Sequence, residues 1–118
     1  MRRLLLVEDH ALFREGLALL LKWHTGLGSV QVGSLAEAQR ILRDKENWPA
    51  CAIIDLDLPD GDGIDLLEQL RELPILALTT GRNLKRRAWA LEMGADEVLS
   101  KAESAERIAD VVGRLVDR

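Results

Sequence analysis

Three short apolar runs, each ending in a reactive or charged residue, constrain this chain more than any other feature. Ala50-Cys51-Ala52-Ile53-Ile54 leads into Asp55, Leu4-Leu5-Leu6-Val7 into Glu8-Asp9, and Val98-Leu99-Ser100 into Lys101. Runs of β-favouring residues without polar alternation read as strands buried on both faces, as in a parallel sheet covered by helices. In such a sheet the carboxyl ends of the strands share one edge, where ligands bind. Three carboxylates and an ammonium, far apart in sequence, are therefore expected to meet in one pocket.

Between these runs the pattern alternates. Ala11–Trp23 reads as a helix, with Arg14, Ala18 and Lys22 on one side and Leu12, Phe13, Leu19 and Leu20 on the other. Ser29–Val32 is a short strand. Ser34-Leu35-Ala36-Glu37 has the form of a capping box and opens a helix to about Lys45, with Leu35, Ala38 and Leu42 inward. Asp62–Leu70 is a third helix, and Pro74 leads into a strand at Ile75–Thr79. Asn83 or a residue near it caps a fourth helix, and Gly94 sits where a left-handed C′ residue is expected. Asp96–Ser100 is the fifth strand, and Glu103–Val116 the last helix, with Ile108, Val111, Val112 and Leu115 inward. Five βα units predict an α/β fold, a doubly wound five-stranded parallel sheet with helices on both faces.

The 118 residues are expected to form one domain over 1–118, large enough for a real core. The longest apolar stretch, Leu17 to Leu21, is far short of the roughly 20 residues that span a bilayer, and the N-terminus carries no secretory signal. A lone cysteine, Cys51, forms no internal disulfide and reads as a small core residue. A cytoplasmic protein fits these features best. A net charge of -4 argues against direct binding of nucleic acid, which needs a basic footprint.

An aspartate can accept a phosphoryl group as an acyl phosphate, provided that a divalent cation and positioned donors neutralise the phosphoryl oxygens. Mg²⁺ keeps several waters and takes one or two carboxylates from a protein. Asp9 and Asp55 suit that role, with Glu8 acting through water, Lys101 as the fixed counter-charge, and the Thr79 hydroxyl aimed at the same edge. Each residue also has a plainer reading. Asp55 could form a turn, Glu8-Asp9 could cap a helix, Thr79-Thr80 could end a strand, and Lys101 could be a solvated charge. Their joint placement at the ends of successive strands favours the functional reading.

These residues together resemble the receiver domain of two-component response regulators, along the whole chain. Glu8-Asp9 matches the acid pair, Asp55 the phosphoacceptor, Pro59 and Gly63 the following loop, Thr79 the hydroxyl position and Lys101 the lysine. The run from Glu8 to Leu17 further resembles regulators of the nitrate-response and quorum-sensing (LuxR) type. Those usually carry a C-terminal helix-turn-helix DNA-binding domain, which would lie outside this chain. The resemblance implies the flavodoxin-like (βα)5 receiver fold and a sensor histidine kinase that donates the phosphoryl group to Asp55. It implies Mg²⁺ or Mn²⁺ held by Asp9, Asp55 and the backbone carbonyl of Asp57. It also implies phosphoryl contacts from Thr79, Lys101 and the backbone of Thr80. The switched surface would regulate transcription or a partner protein, with a homodimer as one outcome. Such a domain is no enzyme in the ordinary sense, since it catalyses only its own phosphorylation and dephosphorylation.

The chain departs from that pattern in three places. Val98 stands where many receivers have an aromatic that swings inward, so a reduced or different output change is expected. Ala102 replaces a proline whose bond is often cis, so a trans peptide is expected. Asp57 places a charge two residues past the acceptor. If it faces the phosphoryl site, a second carboxylate costs about 1–4 kcal/mol and alters the phosphorylation kinetics; otherwise it points to solvent. Asp55 to Gly63 does not form a calcium-binding EF-hand, because Pro59 and Asp60 fall where that loop needs a ligand and a glycine.

On the fourth helix, with Leu84, Ala88 and Leu91 inward, Trp89 and Met93 would face outward beside Arg86 as a protein contact surface. Lys85-Arg86-Arg87 reads as a solvated face, and His10 as a surface or capping residue. Two other functions compete. A haloacid-dehalogenase type phosphotransferase would use Asp55-x-Asp57, but that family places the pair on its first strand and needs a longer chain. A phosphorylation-independent adaptor would not need the intact set of Asp9, Asp55, Thr79 and Lys101.

Overall fold

Each apolar run becomes a strand in the computed structural model, which describes residues 2–81 and 83–117. Strands β1 (Leu4–Val7), β2 (Ser29–Val32), β3 (Cys51–Asp55), β6 (Ile75–Thr79) and β7 (Glu97–Ser100) form one parallel sheet in the order β2-β1-β3-β6-β7. A two-stranded antiparallel ribbon, β4 (Asp57–Leu58) with β5 (Gly61–Asp62), sits in the loop after β3.

The pleat divides the core in two. Leu5, Val7, Ala52, Ile54, Ile75, Ala77 and Val98 point to one face, under α2 (Leu35–Leu42), α3 (Ile64–Gln69) and α4 (Leu84–Met93). Leu4, Leu6, Cys51, Ile53, Leu76, Leu78 and Leu99 point to the other, under α1 (Ala11–Thr25) and α5 (Ala105–Val116). Because both faces are covered over β1, β3 and β6, these strands run apolar up to their carboxyl ends, whereas the edge strands β2 and β7 keep polar residues such as Gln31 and Glu97. The strand order reverses direction at β1, so the crevice between the ends of β1 and β3 is the topological switch point.

Helix ends follow their capping chemistry. The Ser34 hydroxyl accepts from the Glu37 N–H at 3.2 Å, while the Glu37 carboxylate reaches back to the Gly33 N–H at 3.2 Å rather than to that of Ser34. Asp60 adds a second cap, accepting from the Leu35 and Ala36 N–H groups, and these bonds hold its carboxyl below the usual range. Asn83 caps α4 as expected, through the N–H groups of Lys85 and Arg86. Gly94 has a φ of +127°, positive but more extended than the expected left-handed helical value. The second helix stops at Leu42 and is followed by a 3₁₀ turn at Lys45–Asn47. The third begins two residues later than expected, because Asp62 joins β5 and Gly63 is the N-cap, with Asp62 accepting from the Ile64 N–H.

Two helix faces differ from the sequence reading. On α1 the buried stripe is Leu17, Ala18 and Leu21, with Phe13 and Leu20 half-buried. Leu12 and Leu19 lie in solvent at 78% and 75% exposure. On α4 the core contact is Ala90, and Met93 packs against the core cluster instead of facing outward. Leu84 and Leu91, together with Ala88, are exposed rather than inward, and Trp89, on another side of the helix, is 52% exposed. A helix anchored through one alanine lies close to the sheet, and its longer apolar side chains are left on the outer rim.

Cys51 is fully buried, and burial, with a contribution from the charge of Asp96, pushes its thiol up to about 12. Because the thiolate is the reactive species, iodoacetamide at pH 8 is expected to label the native chain at least about a thousandfold more slowly than the unfolded chain. Comparable rates would show that β3 opens readily. Among the described residues, no helix is long and apolar enough to cross a membrane.

Candidate functional site at the carboxyl edge of the sheet

The strands deliver their terminal residues to one edge. Glu8 and Asp55 are each 1% exposed, and Thr79 is buried at the end of β6. Asp9 remains exposed at the rim. Carboxylate oxygens from Glu8, Asp9 and Asp55 all lie within 4.8 Å of one another. Lys101 reaches in from the end of β7, paired with Glu8 Oε1 and 3.3 Å from Asp55 Oδ2. Its ammonium lies over Phe13, with Nζ 4.9 Å from the ring centroid, an orienting contact that the sequence did not reveal.

The electrostatics follow from this crowding. Burial, reinforced by Asp55, pushes Glu8 up to about 7 against the opposing pull of Lys101 and of the His10 N–H, which donates to Oε2 at 3.1 Å. Burial by itself would lower Lys101, but Glu8 and Asp55 outweigh it and hold the ammonium above its ordinary value. Three hard anionic oxygens against a single ammonium suit a divalent cation of the Mg²⁺ or Mn²⁺ kind. The site residues therefore fit such an ion by the chemistry of their donors.

The remaining positions are equally definite. Asp55 Oδ1 accepts from the Asp57 N–H at 2.9 Å, which fixes the start of the following loop. The Asp57 carboxylate does not simply face solvent. Its Oδ2 accepts from the Thr79 hydroxyl at 3.4 Å and from the Thr80 N–H and hydroxyl, both at 3.1 Å. Its Oδ1 is 3.3 Å from Nη2 of Arg86. Arg86 is thus part of the site and not of a solvated face. It also donates to both oxygens of Asp62 at 3.1 Å and to the Leu56 carbonyl at 2.7 Å. His10 is exposed and caps nothing with its side chain. Val98 is buried in the core under α4, and the Lys101–Ala102 peptide is trans, as expected.

The site can do limited but specific chemistry. It offers two buried carboxylates, an ammonium, a hydroxyl and a cluster of oxygens that suit a cation. The profile of the response regulator receiver domain matches residues 4–113. The transcriptional regulatory protein PmrA of Pectobacterium parmentieri is 34% identical, over 98% of this chain and 53% of its own length. The chain spans about half the length of the curated relatives it matches. A receiver domain structure from Methanospirillum hungatei superposes with a TM-score of 0.88 at 20% identity, covering 99% of this chain and 94% of that one. A LuxR-family response regulator from Aurantimonas superposes at 0.85 with 26% identity, covering 98% and 84%.

Proposed function

Because the chain belongs to the response regulator receiver domain family, and is thus a receiver of two-component signal transduction, we propose that Asp55 is its phosphoacceptor and that a sensor histidine kinase is the donor. The observation that carries this is the Asp55 carboxylate, desolvated, paired with Lys101 and grouped with Glu8 and Asp9.

In the proposed transfer, an Asp55 oxygen forms a bond to phosphorus as the P–N bond of the donor phosphohistidine breaks. The imidazole leaves and takes up a proton. Asp9, Asp55 and the Asp57 carbonyl would hold Mg²⁺ or Mn²⁺, with Glu8 acting through water. The bound cation would supply neutralising charge for the phosphoryl oxygens. Lys101 and the Thr79 hydroxyl would each meet a phosphoryl oxygen, and the Thr80 N–H would donate alongside them. Hydrolysis of the acyl phosphate by water resets the domain, so its catalysis is confined to its own phosphorylation and dephosphorylation.

Movement of Thr79 and Lys101 would bias the surface around α4, β7 and α5, with Val98 in place of an aromatic limiting the relay. Exposed Trp89 offers that surface a contact for a partner or a second copy, while Met93 supports it from the core side, and Leu84 and Leu91 are exposed on another side of α4. On α1, exposed Leu12, Leu19 and Trp23 run away from the site along one face and suit a docking donor protein. The narrower kinship, to nitrate-response and quorum-sensing (LuxR) regulators, rests on the run from Glu8 to Leu17. A C-terminal DNA-binding domain, transcriptional control and a cytoplasmic setting belong to the same proposal.

With Mg²⁺ and acetyl phosphate or phosphoramidate, intact mass is expected to rise by one phosphoryl group, and not to rise with a chelator or in Asp55→Ala. An equal gain in Asp55→Ala would overturn the assignment.

A further inference from the structure

We propose that the Asp57 carboxylate is a resident anion that occupies the phosphoryl-binding donors of the resting domain, and that Arg86 is the positioning residue that receives it when a phosphoryl group arrives. The inference rests on Asp55 being the phosphoacceptor.

The two oxygens of Asp57 have different partners. Oδ2 takes the Thr79 hydroxyl and the Thr80 N–H, the two donors that end β6 beside Asp55, together with the Thr80 hydroxyl. A phosphoryl oxygen on Asp55 needs those same donors, and neither can serve two anions at full strength. Oδ1 faces the guanidinium of Arg86. Arg86 does not depend on Asp57 for its position. Asp62 grips it through both oxygens at 3.1 Å, and the Leu56 carbonyl binds it at 2.7 Å. The backbone reinforces this hold, because Asp57 and Asp62 are paired across the β4–β5 ribbon and Asp62 also accepts from the Ile64 N–H at the start of α3.

This asymmetry gives the exchange a direction. When a phosphoryl group takes Thr79 and Thr80, Asp57 loses Oδ2 contacts but keeps its ion pair with a fixed arginine, so the displaced charge stays neutralised. Without Arg86 that carboxylate would be left bare beside the phosphoryl group. Because Arg86 stands on α4, the exchange also couples the site to that helix. Asp57 is therefore a restraint on phosphorylation, and Arg86 limits how strong the restraint is.

The test is a double-mutant cycle on phosphorylation by phosphoramidate with Mg²⁺, together with hydrogen exchange at the Thr80 amide. Asp57→Ala is expected to speed adduct formation about tenfold, and Arg86→Ala to slow it about tenfold, each a decade of the usual energy scale. In the Asp57→Ala background, loss of Arg86 is expected to change the rate less than about twofold. Arg86→Lys, which keeps the charge and spares the fold, is expected to fall between the parent and Arg86→Ala. Thr80 exchange is expected to quicken in unliganded Asp57→Ala and to slow again with beryllofluoride, a change that a merely structural role would not produce. An unchanged or slower rate in Asp57→Ala, or an equal loss from Arg86→Ala in both backgrounds, overturns the inference while the acceptor assignment stands. Absence of any adduct in the parent chain, with Thr80 exchange unaffected by beryllofluoride, overturns both.

Discussion

Replacing Gly63 by alanine is expected to destabilise the fold by about 2–3 kcal/mol, the cost of overpacking a site that cannot relax. A Cβ at Gly63 would lie 2.5 Å from the Asp55 carbonyl oxygen, 2.9 Å from Leu56 Cα and 3.2 Å from Ile54 Cγ2. The first two are backbone atoms at the end of β3, so no side chain can turn aside to make room. The Gly63 N–H also donates to the Leu56 carbonyl at 3.1 Å, which fixes how close the loop comes. The same strand end presents Asp55, so phosphorylation should fall along with stability. Gly16 is the control. It lies exposed within α1, a Cβ there would meet no atom within 4 Å, and Gly16→Ala should stabilise by about 0.5–1 kcal/mol. Urea denaturation checks both, and a Gly63→Ala midpoint equal to that of the parent would show that the loop can move.

Lys101→Met is expected to cost about 3 kcal/mol in the absence of divalent cation, near the low end for stripping the partner from a buried charge. Its ammonium is the cation paired with both Glu8 and Asp55, two buried carboxylates that otherwise face each other. The loss stays at the low end because Glu8, already pushed up to about 7, can take up a proton instead. Mg²⁺ is expected to stabilise this variant more than it does the parent, since the ion replaces the missing charge and no longer competes with Lys101. Thermal unfolding with Mg²⁺ and with a chelator distinguishes the outcomes. A variant that is as stable as the parent and gains nothing from Mg²⁺ would mean that the three carboxylates do not act as one electrostatic unit.

The strands were legible in the sequence because a strand covered on both faces leaves a run of apolar residues with nothing else to explain it. The convergence of Glu8, Asp9, Asp55, Thr79 and Lys101 followed from strand polarity alone. The orientation of α1 did not, because its residues are apolar almost all the way round. The choice of Leu17, Ala18 and Leu21 as the buried stripe over Leu12 and Leu19 reflects packing against the sheet and α5. On α4 the small Ala90, not the larger Leu84 and Leu91, seats the helix, which reverses the usual weighting by size. Arg86 was hidden inside a basic run, and its partners Asp57 and Asp62 lie on a two-stranded ribbon too short to show any periodicity. Asp57 had two open readings in the sequence, and its hydrogen bonds to Thr79 and Thr80 decide between them.

The most direct measurement is to locate the acyl phosphate. Chain treated with phosphoramidate and Mg²⁺ would be reduced with borohydride, which converts a phosphorylated aspartate to homoserine, and then mapped by peptide mass spectrometry. Homoserine at position 55 alone is the result that a desolvated Asp55 beside Lys101 predicts. Homoserine at Asp9, Asp57 or Asp62, or an adduct that resists borohydride, would contradict it.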